Sequence, residues 1–342
     1  LRILDRLVIK VLNSKIMMSP FSALKLIFFS AYIHCAQAQE VDYSLYHRQV
    51  MSAEILIGSE NFNGALKVYN ELFSDFDFVF LRDYKIATQL ALFLNNNELS
   101  FEFLRRGASA GWEMKDIRKT RSLKKLQELP EWQDFENEYP GLYADYESSL
   151  NSELRSRVRK MFSKDQKKAL GALFRIGSKS QDKYGEEKFA PHSEQQMKQL
   201  VEILSEFGYP GEKLIGNDYW ASTILSHHNS ISQGYASQDT IYPSLKPALE
   251  KALKQGEISP FELALIDEWY RSTLAQGPYM GYGILDPPTK STLQNTNELR
   301  AEVFLRSVET RNGLVDIQDK TQMDFYLPGK GWIDGKIEVI PD

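Results

Sequence analysis

Residues 60–69, Glu60-Asn61-Phe62-Asn63-Gly64-Ala65-Leu66-Lys67-Val68-Tyr69, decide how the N-terminal half of this chain is read. Ala65 and Tyr69 are four positions apart and so share one helix face, where a small residue lets a neighbouring helix approach and an aromatic ring fills the groove beside it. The helical stretch Ser52 to Ile57 precedes them. From about 43 to 130 the apolar residues recur at spacings of three and four, with breaks at short polar turns, which predicts paired antiparallel helices. A second pair is expected over Asp83 to Leu94 and Glu98 to Ala110, joined at Asn95-Asn96-Asn97.

The segment around Ala65 and Tyr69 resembles the second helix of a tetratricopeptide repeat. Ala87 and Ala91 follow the same logic, but the helix after Asn97 lacks the matching alanine, so the repeat is degenerate. Such arrays need about three repeats to stand alone. The segment 43–140 is therefore expected to lean on the next domain, and the resemblance implies a groove for a peptide or partner protein.

Working outward, Pro130 to Gly141 reads as a joint, and helices resume from 145 to 308. Ser193-Glu194-Gln195-Gln196 reads as a capping box opening a helix that ends at Gly208. Ser259-Pro260-Phe261-Glu262 reads as a second box, with proline at the first helical position and a stop at Gly277-Pro278. Helices are expected over 218–228, over 245–255 before Gly256, and near Glu298 to Val308. In the tail, 309–342, Trp332 to Ile337 reads as a small hairpin around Asp334-Gly335. The fold class is thus all-α: a helical-hairpin region packed on a helical bundle, with a small C-terminal β hairpin.

At the other end, Met17-Met18 precede Lys25, an apolar run Leu26 to Ile33, and Ala36-Gln37-Ala38, the small-x-small pattern of signal-peptidase cleavage. Residues 1–16 read as an over-extended gene start and 17–38 as a signal peptide, with a periplasmic or extracellular destination. The run is far shorter than the roughly 20 apolar residues that cross a bilayer, so no integral membrane segment is expected after cleavage. Cleavage would remove five basic residues and one acid, leaving 36 Lys+Arg against 45 Asp+Glu and a net charge of −9. That balance argues against a nucleic-acid partner. Lys115 to Lys125 and Arg155 to Lys168 are basic but almost without interleaved aromatics, and read as solvated helix faces. The sole cysteine, Cys35, lies within the signal, so disulfides, zinc–thiolate sites and Cys nucleophiles are not expected in the mature chain. No cofactor signature appears; neither a nucleophile elbow nor a phosphate loop is present.

An ordered series of short motifs over about 150–305 resembles a widespread bacterial family catalogued as a domain of unknown function. The series runs Asp165-Gln166, Gly208-Tyr209-Pro210, Ile215-Gly216, Ser226-His227-His228-Asn229, Leu265-Ile266-Asp267-Glu268 and Tyr282-Gly283-Ile284. The chain departs from the family pattern at Tyr209, Asn229, Glu268 and Ile284, where the family carries Trp, Asp, Arg and Thr. The resemblance implies a fold and a site position and supplies no reaction. An Asn at 229 cannot act as a base.

From the residues themselves, His227 and His228 are adjacent on a helix, about 100° apart, and lack the His-x-x-x-His spacing of a metal helix, so no metal is expected. Asp267 lies four before Arg271, which predicts an ion pair along the helix; the functional alternative aims its carboxylate at His227 to fix the tautomer. The expected ligand neighbourhood is Asp218, Trp220, His228, Asn229, Tyr279, Tyr282 and Gly283. Three readings are open: a module binding a protein, peptide or small ligand; a metal-independent hydrolase or lyase with His227 as general base oriented by Asp267; and a purely structural envelope-associated protein.

Overall fold

Asp42 starts the first helix by accepting the Ser44 amide at 2.9 Å, and Asn61 starts the second by accepting that of Gly64 at 3.0 Å. These are α1 (Tyr43–Gly58) and α2 (Phe62–Asp75); Ala65 and Tyr69 are fully buried between them and their neighbours, as their spacing predicts. The computed structural model describes residues 41–275, 280–327, 333 and 335–342. The expected signal segment 17–38, the Gly277-Pro278 stop, Tyr279, Trp332 and Asp334 lie outside the described residues.

The second pair is α3 (Leu81–Phe93) and α4 (Asn97–Ser109), with Asn96 accepting the Leu99 amide at 3.1 Å and Ala87 and Ala91 buried. After α5 (Met114–Lys119) comes α6 (Glu131–Ser149). The expected joint at 130–141 is therefore helical. Pro140 sits inside α6 on its exposed side, where water can serve the carbonyl its missing N–H abandons.

Ten further helices complete the described chain: α7 (Ser152–Leu173), α8 (Ser178–Tyr184), α9 (Ala190–Phe207), α10 (Glu212–Ile215), α11 (Trp220–Asn229), α12 (Gln233–Ala236), α13 (Ile241–Lys254), α14 (Pro260–Leu274), α15 (Leu293–Glu302) and α16 (Val308–Thr321). A π turn, Gly185–Phe189, feeds α9. It lies where the backbone passes so close to Ile231 that a Cβ on Gly185 would be 2.9 Å from the Ile231 carbonyl oxygen.

The described residues are all-α, and their one β contact is a parallel bridge between Thr289 and Ile340. The described part of the expected hairpin, Ile333 and Gly335 to Ile337, forms no strand. The Ser259 box forms as expected, with Ser259 Oγ accepting the Glu262 amide at 3.2 Å. The Ser193 box does not: α9 begins three residues earlier with Pro191 in its first turn, and the buried Ser193 hydroxyl instead meets His228 Nδ1 at 3.0 Å. The helix expected at Glu298 to Val308 is two helices broken at Val303–Ser307, where Phe304 takes a φ of 56°. No helix among the described residues is long and apolar enough to cross a membrane.

Asp42–Asp342 form one compact unit. Its larger core joins α7, α9, α11, α13 and α14 through residues such as Val158, Leu200, Ile224, Leu249 and Leu263. The N-terminal helices build a second core that includes Leu314 and Ile317 of α16 and Phe325 beyond it. The chain thus closes its incomplete repeat with its own C-terminal helix.

Candidate functional site

His227 lies at the end of α11, yet its partner is not Asp267. Its Nδ1 is 2.5 Å from Oδ2 of Asp165, a side chain in the middle of α7 with no solvent exposure. The other carboxylate oxygen of Asp165 is buried and has no hydrogen-bond partner among the described residues. The His227 side chain is 31% exposed, and Phe189 packs edge-on against both its ring and that of His192, 6.3 Å away in each case. Burial lowers the His192 pKa. Asp165, and not Asp267, therefore stands where a carboxylate that orients the His227 imidazole would be expected.

Asp267 has a different surrounding. Oδ1 accepts from Tyr242 at 2.8 Å and Lys246 at 2.9 Å, and Oδ2 from Arg271 at 2.6 Å and Tyr282 at 3.0 Å. The predicted pair with Arg271 forms, with the carboxylate buried and the guanidinium partly exposed. Burial raises the Asp267 pKa, and Lys246 and Arg271 more than reverse that, leaving it below the ordinary carboxylate value. Four donors on an ionised carboxylate fill its acceptor sites. Asp267 is a structural hub that ties α13 to α14.

Next to it, the buried Glu268 accepts the backbone amides of Tyr282 at 2.5 Å, Ile284 at 2.7 Å and Leu285 at 3.1 Å. Tyr282 is thereby brought to Asp267, and neither residue hydrogen-bonds His227. His228 is buried against Ser193, with Nε2 3.4 Å from Asp239. Asn229 donates to the Ile266 carbonyl at 2.8 Å. Trp220 stacks on Phe162 and lies under the Arg155 guanidinium, 5.0 Å away. Gly283 turns the chain at a φ of 66°. These expected ligand residues are therefore engaged in packing or in internal hydrogen bonds.

Asp218 belongs elsewhere. It pairs with Arg155 at 2.5 Å and lines a cavity of about 270 Å³ between the N-terminal helices and the elements of the larger core. The walls come from α1 (Tyr46, His47, Met51, Glu54), α3 and the residue before it (Phe80 to Asp83, and Lys85), the 212–219 segment, the start of α14 and the 304–306 break. Tyr219, 65% exposed, lies on its rim. Glu54 is gripped by two arginines: Arg82 at 2.7 Å and Arg306 through Nε at 2.6 Å and Nη2 at 2.5 Å. Burial raises its pKa, but the guanidinium groups of Arg306 and Arg82 together hold it below the ordinary value. Asp83 accepts the Tyr46 hydroxyl at 2.5 Å; burial pushes its pKa up to about 6. Glu212 accepts the Leu81 amide at 2.6 Å, at the N-terminus of α3, and burial pushes its pKa up to about 8. His47, donating toward the Leu253 carbonyl at 3.1 Å, is lowered by burial to about 4 and is neutral at pH 7.

No family model, curated protein or solved structure matches this chain.

No group of three or more His, Cys, Asp or Glu among the described residues could hold a metal ion. Of the residues expected from sequence, the cavity uses Asp218 alone. The missed ones carry one legible signal each: Glu54 interrupts the buried stripe of α1 between Ala53 and Ile57, and Arg82-Asp83 places charge directly after the apolar Val79 to Leu81. A carboxylate on a buried face requires partners. Those partners lie far along the sequence.

Proposed function

We propose that this protein binds a small molecule in the cavity lined by Tyr46, Glu54, Arg82, Asp83, Glu212 and Glu262. The observation that carries the reading is an internal space of about 270 Å³ bounded by both buried ionisable groups and aromatic rings. Pockets with an apolar body and a few placed polar groups are where small ligands are held. The size suits a molecule of about an amino acid or short amine. A peptide in the repeat groove is less well supported, because the chain's own segment lies there: Gln89 donates to the Asp324 carbonyl at 2.8 Å and accepts its amide at 2.7 Å, while Arg82 donates to the Phe325 carbonyl at 3.1 Å. The signal-like residues 17–38 support action in the periplasm or outside the cell.

Native mass spectrometry of the exported protein tests both parts together. We expect a chain starting just after Ala38, bearing a small-molecule adduct that is absent from Met51→Trp, whose larger ring occupies the cavity. An intact N-terminus would overturn the export reading. Equal ligand capture by wild type and Met51→Trp would place binding elsewhere.

The 2.5 Å contact between His227 and Asp165 supports a second reading, acid–base chemistry at His227 Nε2. Any hydrolytic activity detected with model esters should then vanish in His227→Gln and fall steeply in Asp165→Asn. Activity retained in both variants removes this reading.

A further inference from the structure

We infer that the ligand of the cavity carries a protonated primary amine, seated against the carboxyl groups of Glu212 and Glu262. This rests on the small-molecule reading above and adds the chemical class.

Charge decides the class. Apart from Lys85, the other charged wall groups already have partners: Glu54 has Arg82 and Arg306, Asp83 has the Tyr46 hydroxyl and Arg82 at 3.5 Å, and Asp218 has Arg155. Glu212 and Glu262 line the same space, and neither has a cationic group within 4.0 Å among the described residues. Glu262 accepts from Ser259 and, at 3.4 Å, from the Tyr209 hydroxyl. Glu212 accepts from the Leu81 amide, and its second oxygen has no hydrogen bond among the described residues. Buried carboxyl groups without a counter-ion are costly unless they hold a proton or meet a cation. Phe80, Phe261 and Phe304 stand in the same wall, and aromatic rings attract cations while giving an alkyl or aryl body a surface to pack on. An anionic ligand would gain no compensating charge from these two carboxyl groups.

The groups acting on Glu212 are known: the Leu81 amide and Lys85 favour its charged form, while burial, Glu262 and Asp83 oppose it. Burial prevails and holds its pKa near 8, so at pH 7 the empty cavity keeps most of that proton. An arriving ammonium group replaces it, and binding releases a proton to solvent. Lys85, whose Nζ lies 5.0 Å from the Tyr326 ring centre and 5.6 Å from that of Trp112, lines the same cavity and offers a place for a carboxylate. A free amino acid is thus one source of the amine, and a simple amine the other.

Calorimetry on the full mature chain tests the inference with matched series: butylamine, hexylamine and phenethylamine against butyrate, hexanoate and hydrocinnamate, with phenylalanine as the zwitterion. We expect the amines to bind and the carboxylates not to. Titrations in buffers of different ionisation enthalpy should show release of about one proton per amine at pH 7. Glu212→Gln keeps an acceptor for Leu81, so it should fold, bind amines about 10- to 100-fold more weakly and release no proton. Phenylalanine binding more tightly than phenethylamine, with the difference lost in Lys85→Met, identifies an amino acid as the source; the reverse order identifies a simple amine. Preferential binding of the carboxylates overturns the amine while leaving the small-molecule reading intact. Absence of binding by all three classes at about 10 mM overturns both.

Discussion

Asp267 takes hydrogen bonds from Tyr242, Lys246, Arg271 and Tyr282, so its removal leaves two partly exposed cations and two buried hydroxyl groups without their shared acceptor at once. Breaking a buried ion pair by deleting one partner costs about 3–5 kcal/mol, because the remaining charge is left without compensation. Asp267→Ala should therefore lower unfolding stability in urea by about 3 kcal/mol or more, whereas Asp165→Asn, whose one described partner is a partly exposed imidazole, should cost clearly less. Equal losses would contradict the hub role. The same contrast marks what was legible at this scale. The pair with Arg271 is four residues long in sequence and was readable, while Tyr242 and Lys246 lie 25 and 21 residues away, on another helix. The pairing of His227 with Asp165 spans 62 residues. No local pattern separates that partner from Asp267, because helix spacing specifies faces and says nothing of which faces meet.

At the scale of elements, the described helices agree with the apolar spacing wherever caps are local, as at Asn61, Asn96 and Ser259. Ser193 carries the same cap signature and fails, since proline two residues earlier starts the helix sooner and His228 claims the hydroxyl. The tail was the least legible. Its hairpin signal, Asp334-Gly335, is a turn signal and says nothing of pairing, and the chain there is instead held by long-range contacts. Residues 323–326 lie along α3, where Gln89 meets both backbone polar groups of Asp324 and where Met323 and Phe325 are buried. The segment covers α3 with the chain's own C-terminal residues. Gln89→Ala removes both hydrogen bonds and should cost about 1–3 kcal/mol. Amide exchange should quicken at Asp324 with little change in α9 and α11. Unchanged exchange at Asp324 would show that the segment is held by its apolar residues alone.

Across the whole molecule, the cavity lies where α1, α3, α10, α14 and the break before α16 converge, and it buries acids and bases in unequal number. The consequence is a dependence of stability on pH that can be assigned a sign. For Glu212 the folded pKa is near 8 against an ordinary value of 4.5, so between these values the folded chain keeps a proton that the unfolded chain releases. Stability must then fall as pH rises through that window, by at most ~1.4 kcal/mol per pH unit. Asp83, raised from 3.8 to about 6, acts in the same direction at lower pH. His47, lowered from 6.5 to about 4, acts oppositely over its own range, because there the unfolded chain binds the extra proton. Above about pH 7.5 both have nearly finished titrating and Glu212 remains. Wild type should therefore lose stability from about pH 7.5 to 8.5 in denaturant titrations, and Glu212→Gln should lose clearly less there. Parallel profiles would mean that the carboxyl is already ionised in the folded chain at neutral pH. A flat wild-type profile restored to a slope by Glu212→Gln has no account in this arrangement of charges, since the amide cannot titrate.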